Sequence, residues 1–146
     1  MPPAERLCEM YHGSMDSHSQ RQITESMPER DSKLHCVVAT ITFGLGIDTP
    51  DISYVIHWGA PTDIMAYWQE VGRAGRDGRK AKAKMYLYPL ALDSRRVDKA
   101  LMELLHDVLR RTRCFREGIL TFLSLKEMSA ISHQNSDCCI VCDESV

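Results

Sequence analysis

Two short runs constrain the fold more than anything else in this 146-residue chain: Leu34–Thr40 (LHCVVAT) and Tyr54–Trp58 (YVIHW). Each is shorter than a helix needs and rich in β-branched or aromatic residues. Turn formers bound both, with Gly44, Gly46 and Pro50 after the first and Gly59 and Pro61 after the second. Such runs predict strands buried on both faces, the pattern of a parallel sheet. Ala83–Tyr88 (AKMYLY) returns as a third. Between them the pattern turns helical. Ser17–Gln20 (SHSQ) has capping-box spacing and opens a polar helix through about Met27, which Pro28 and PERDSK break. Thr62 or Asp63 can cap a second helix through Tyr67 and Trp68. Strands alternating with helices predict an α/β domain. From Asp93 the period changes: Val97, Leu101, Leu104, Leu105 and Val108 form one apolar helical face. The best boundary lies near Pro89–Ser94, dividing the chain into an α/β domain over 1–91 and a helical appendage over 92–146.

A chain of this length can bury a real core. Its 44% hydrophobic and 26% charged residues describe a globular protein rather than a disordered tail. No apolar run approaches the roughly 18–20 residues that span a bilayer, and MPPAERLCEM lacks the basic start and apolar stretch of a secretion signal. The expected compartment is intracellular and reducing, where six cysteines do not suggest a disulfide framework. Cys8 and Cys36, in apolar stretches, read as buried thiols. Charge is uneven under a net −2: Glu70–Arg116 holds 13 Lys/Arg against 6 Asp/Glu, a local +7. A basic half suits phosphates of nucleotide or nucleic acid, though a solvated helix face carries the same charge.

Gln69–Gly78 reads QEVGRAGRDG, with Arg73 and Arg76 framed by Gly72, Gly75 and Gly78. Glycines allow tight turns and close approach to a ligand. Guanidinium groups present planar forks suited to phosphate oxygens. The set reads as a clamp on a phosphate chain, or as an Arg/Gly-rich surface loop. Upstream, Val37–Asp51 reads VVATITFGLGIDTPD. It places hydroxyls, a glycine-kinked loop and Asp48 at the carboxyl end of a strand, where open parallel sheets gather ligands. Thr40 or Thr42 can donate to a backbone phosphate, and Asp48 can accept from a ribose hydroxyl; each taken singly also serves as a cap or turn former.

VVATITFGLGIDTPD followed by YWQEVGRAGRDG closely resembles motifs V and VI of the RecQ family of superfamily-two DNA helicases, with YHGSM (Tyr11–Met15) and YVIHWGAPTDIMAYW in the same pattern. The resemblance runs from about Met10 to Cys142. It implies the second RecA-like domain, an α/β fold with a parallel sheet flanked by helices, of a motor coupling ATP hydrolysis to 3′-to-5′ unwinding of DNA. It further implies that ATP and Mg²⁺ bind mainly to a first RecA-like domain acting as partner. Arg76, aided by Arg73, becomes the arginine finger, an effect worth about 10³–10⁵ in rate. Gln69, Asp48 and Gly46 fall at nucleotide-side positions, and Thr40 and Thr42 at the DNA backbone, where contacts position a strand without reading its sequence. Nuclear location belongs to the same expectation. His57, Trp58, Tyr67 and Trp68 read as structural.

The resemblance also implies a helical four-cysteine zinc subdomain. Cys114, in RCFREGILTFL, matches its first ligand, and Cys139 and Cys142 give a C-x-x-C pair. The fourth position falls on Ser145, a poor ligand, and Cys138, His133 or Asp143 are the substitutes. Structural zinc needs four thiolate or imidazole donors, so a degenerate site of free thiols stands beside a zinc site. The sequence contains no G-x-x-x-x-G-K-[ST] and no DEAH-like box. The strand that precedes YHGSM in the family (motif IV) is expected to be absent as well, leaving a gap or open edge in the sheet. These absences make the chain half of an active site, expected not to hydrolyse ATP alone. A non-catalytic nucleic-acid-binding or interaction module is the competing reading. An RNA helicase fits less well, because the related RNA-directed motif commonly opens with histidine rather than glutamine.

Overall fold

The computed structural model describes residues 6–28, 31–40, 52–93, 95–123 and 138–142. The elements run β1 (Cys8–Tyr11), α1 (Ser17–Ser26), β2 (Cys36–Ala39), β3 (Tyr54–Trp58), α2 (Ile64–Val71), β4 (Lys82–Tyr86), a 3₁₀ turn (Pro89–Leu92), α3 (Lys99–Leu109) and α4 (Phe115–Phe122). Strands and helices alternate as the sequence predicts, and the fold is α/β. The strand at Tyr54–Trp58 falls on its predicted residues. The other two are shorter than predicted, Cys36–Ala39 and Lys82–Tyr86.

Instead of one sheet, the described strands form two two-stranded sheets, β1–β2 and β3–β4. The first is parallel, with Cys8 opposite Cys36 and Tyr11 opposite Ala39. In the second, Lys82 N–H donates to Ser53 C=O at 2.9 Å and Gly59 N–H to Tyr86 C=O at 2.9 Å. Starts pair with starts and ends with ends, so it too is parallel. β1 is a strand the sequence reading lacked. It runs into the YHGSM motif and shares Tyr11 with it, in residues too few and too mixed in polarity to stand out. The expectation that the strands are buried on both faces is corrected. β3 alternates exposed and half-buried residues, and Val38 of β2 is 56% exposed. Burial on both faces needs cover on both sides of a sheet, and among the described residues these faces do not have it.

Contacts divide the chain into two compact units, one of Met1–Ile56 with Gln69–Lys84 and one of His57–Trp68 with Met85–Val146. In the first unit, Asp16 rather than Ser17 caps α1, its carboxylate accepting from Ser19 N–H at 2.9 Å. Aspartate and serine both serve this role, which is why the sequence signal is displaced by one residue. Ile23, on α1, and Leu34, ahead of β2, are buried here.

The core of the second unit is Ile64, Val97, Leu101, Leu104, Leu105, Val108 and Ile119. Five of these seven are the apolar face read from the sequence, because spacings of three and four place side chains on one side of a helix. Asp98 caps α3 by accepting from Leu101 N–H at 2.8 Å. At its other end Arg111 takes φ 58°, with Arg111 N–H on Val108 C=O and Thr112 N–H on Asp107 C=O. That is a Schellman cap with arginine where glycine is usual. α4 then packs on α3 through Gly118, where a Cβ would run into the Leu104 side chain.

Candidate functional site

The arginine loop grows out of the end of α2. Asp63 caps that helix, accepting from Ala66 N–H at 2.7 Å, as the sequence allowed. Past Val71 the coil continues for one tighter turn, with Arg73 N–H on Glu70 C=O at 3.2 Å and Ala74 N–H on Val71 C=O at 3.0 Å. Gly75 ends the turn at φ +69° and donates to Ile52 C=O at 3.0 Å, fastening the loop just ahead of β3. A Cβ on Gly75 would stand 3.0 Å from the Arg79 carbonyl oxygen and 3.2 Å from Ala81 Cβ. Glycine is needed here for both backbone angle and space.

The returning segment is held separately. Gly78, at φ +81°, donates to Gly75 C=O at 3.0 Å. Asp77 accepts from Arg79 N–H at 3.0 Å and pairs with the Arg79 guanidinium. Those bonds, backbone first and side chain second, hold the Asp77 carboxyl below the usual carboxylate range. Arg79, just past the loop, is thus bound by Asp77, a role the sequence did not assign. Arg76 is exposed, with Nε reaching Gly72 C=O at 3.4 Å, and Arg73 is half-buried.

Thr40 directly follows β2 and is exposed, its N–H donating to Tyr11 C=O at 3.1 Å. It therefore stands at the carboxyl end of a parallel strand, as expected. Thr40, Gln69, Arg73 and Arg76 all belong to the first unit. Thr42, Gly46 and Asp48 lie outside the described residues, as do Ser145, His133 and Asp143.

The aromatic expectations divide. Tyr67 is half-buried against the core, its ring 5.3 Å from His57 and edge-on to Phe115 at 5.1 Å. Burial pushes its hydroxyl pKa up, against the nearby Arg116 charge. Trp58 is corrected. It is 79% exposed and lies beside Tyr86 and Tyr88 at 5.9 and 6.4 Å. Trp68 is also exposed.

In the second unit, Cys114 (the N-cap of α4), Cys138, Cys139 and Cys142 gather with all four sulfurs within 4.8 Å of one another. Cys114 Sγ lies 3.7 Å from Cys138 Sγ and from Cys139 Sγ, and Cys139 Sγ lies 3.7 Å from Cys142 Sγ. Sulfurs at about 2.3 Å from one tetrahedral ion stand about 3.8 Å apart, so these spacings suit a thiolate-bound zinc. The fourth member is Cys138. It is one of the substitutes the sequence offered for Ser145, and a turn closed by Cys142 N–H on Cys139 C=O at 3.0 Å brings the Cys139 and Cys142 sulfurs together beside it. Burial would raise the Cys139 thiol, yet bonds from the Phe115, Cys142 and Val141 backbone bring it down to about 7. Burial, then the hydrogen bond to Cys114, pushes Cys138 up, and burial with Cys114 and Cys139 pushes Cys142 up. Within the cluster Cys139 is thus shifted toward the thiolate that a metal ion needs, and Cys138 and Cys142 away from it.

Residues 4–78 match the family model "Helicase conserved C-terminal domain". The chain is 38% identical to the ATP-dependent DNA helicase Q4 of Mus musculus over 89 residues, 61% of this chain and 7% of that protein. It is 32% identical to the ATP-dependent helicase wrn-1 of Caenorhabditis elegans over 147 aligned residues, 92% of this chain and 14% of that protein. The chain thus spans only a small part of these relatives. Among solved structures, it is similar to the Mycobacterium smegmatis helicase Lhr bound to ssDNA and AMP-PNP. The TM-score is 0.51 at 30% identity, covering 59% of this chain and 11% of that one. Among the described residues no helix is long and apolar enough to cross a membrane.

Proposed function

Because this chain belongs to the helicase conserved C-terminal domain family, and resembles RecQ-type DNA helicases within it, we propose that it acts as the second RecA-like half of an ATP-driven 3′-to-5′ DNA helicase. The observation that carries the reading is the Gln69–Gly78 loop, whose geometry depends on Gly75 and its bond to Ile52. A loop fixed this way can present guanidinium groups to a γ-phosphoryl group brought by another domain. Arg76 is the finger and Arg73 its support, neutralising charge as the phosphoryl transfers. Gln69 senses the same nucleotide, with Asp48 and Gly46 at its edge. Thr40 and Thr42 hold the DNA backbone without reading bases. The first RecA-like domain supplies the P-loop and Mg²⁺, and the protein works in the nucleus.

The cysteine cluster would hold a structural zinc through Cys114, Cys138, Cys139 and Cys142. Zinc there contributes folding free energy, tying residues 138–142 to the start of α4. It takes no part in phosphoryl transfer.

DNA-stimulated ATPase of the purified chain tests the half-site. The expected result is no turnover above background. Turnover abolished by Arg76→Ala would show a complete active site and overturn the reading. A basic segment of net +7 over Glu70–Arg116 favours a second reading, a nucleic-acid-binding module without catalysis. Under it, Arg76→Ala leaves unchanged the DNA-stimulated ATPase measured with this domain joined to a first RecA-like domain; under the first reading that ATPase falls by about 10³-fold or more.

A further inference from the structure

Cys8 and Cys36 are outside every motif discussed above, and the structure contradicts the expectation that they are buried. Both thiols are exposed. The register of the parallel β1–β2 pair places them directly opposite each other. Residues opposite in neighbouring strands share a face, and neighbouring strands lie about 4.7–4.9 Å apart. That spacing falls inside the roughly 4.4–6.8 Å between Cα atoms that a disulfide requires. The neighbouring Cys8 side chain, with some burial, holds the Cys36 thiol pKa up. The register therefore puts both side chains on one face of the pair. Both belong to the first unit, and the four clustered cysteines to the second.

We propose that Cys8 and Cys36 form a cross-strand dithiol, a modification site whose reaction partner is a low-molecular-weight disulfide. The Cys8 thiolate attacks one sulfur of the small disulfide, breaking its S–S bond, making a mixed disulfide and releasing the first small thiol. The Cys36 thiolate then attacks the Cys8 sulfur, displacing the second small thiol and closing the Cys8–Cys36 bond. One S–S bond is lost and one is made. The protein gives up two electrons, and its two thiol protons end on the two released thiols. Closure ties β1 to β2 across residues 9–35, which carry α1.

Glutathione disulfide added to the folded, full-length chain, followed by alkylation and trypsin, tests this. Cys8 lies on peptide Leu7–Arg21 and Cys36 on peptide Leu34–Arg73, and neither carries another cysteine. Their linkage is read as one species two hydrogens lighter than the sum. Six cysteines allow roughly 15 complete pairings, so chance joins this pair in about one in five oxidised molecules. The unfolded chain in guanidinium is expected to show that fraction, and the folded chain about fivefold more. A folded chain at the chance level, or one holding Cys8 and Cys36 only as separate glutathione adducts, overturns the proposal. In Cys8→Ser, Cys36 is expected to stop at the glutathione adduct. Its appearance instead in disulfides with Cys114, Cys138, Cys139 or Cys142 also overturns it.

Discussion

Replacing Gly75 by alanine probes the loop on which the proposed function depends. The native φ of +69° lies in the left-handed region, which costs a residue with a Cβ roughly 1–2 kcal/mol. The new methyl also meets a backbone carbonyl oxygen at 3.0 Å and Ala81 Cβ at 3.2 Å. Relief of that contact must come from the backbone of a segment that Asp77 already holds through Arg79 N–H. A further cost of about 1 kcal/mol follows from overpacking, for a total near 2–3 kcal/mol. Gly78→Ala is the internal control, since Gly78 has a similar φ of +81° but open space around its Cβ. It is expected to cost only the backbone part, about 1–2 kcal/mol. Urea denaturation followed by circular dichroism measures both variants against the parent. Gly75→Ala is expected to be the less stable of the two by about 1 kcal/mol. Equal midpoints for the two variants at unchanged m-value refute the close contact. A Gly75→Ala chain as stable as the parent refutes the pinned loop itself.

Leu101 is fully buried in the second unit, so Leu101→Ala is expected to cost about 3–5 kcal/mol, and a loss below about 1 kcal/mol in the same assay means the core was misread. Cobalt(II) titration reads the thiolate cluster by its sulfur-to-metal absorption: Cys138→Ser is expected to weaken and change that spectrum, and an unaltered spectrum removes Cys138 from the set. In metal-free chain, Cys139 is expected to be alkylated first, at half its maximal rate near pH about 7; a midpoint near the ordinary value of 9.0 contradicts the backbone bonds given to its sulfur. Because that folded-state value is depressed, its contribution to stability is full above about pH 9 and is lost as pH falls through about 7. Cys138 and Cys142, shifted up, act oppositely, with stability lost as pH rises above about 9.

Much of the molecule is legible in local pattern. The face Val97, Leu101, Leu104, Leu105 and Val108 could be read because helical periodicity is a property of neighbouring residues. YVIHW could be read as a strand because its composition and its bounding glycine and proline are local too. A cap at Thr62 or Asp63 and glycines at the turns of the arginine loop follow from conformational preferences that a residue carries wherever it sits. The Arg–Gly decapeptide carries its family in its own residues. Where two residues of similar preference stand side by side, as Asp16 and Ser17 do, local pattern pointed to Ser17, and the hydrogen bond from Ser19 N–H gives the role to Asp16.

The sequence by itself therefore determined the alternation of elements, the second unit's apolar helix face and the chemical character of the arginine loop. Tertiary structure alone decided which distant residues meet. Cys138 joins Cys114 across 24 positions, a proximity that no spacing rule within 138–142 encodes. Cys8 faces Cys36 only because two strands pair in one register, and a slip of one residue would turn the two thiols to opposite faces. Trp58 is exposed because burial depends on what covers a face, a property of the assembled chain and not of the residue. The loop's anchor on Ile52 is of the same kind. Local preference fixes how each segment bends, and only packing and long-range hydrogen bonds fix what each segment touches.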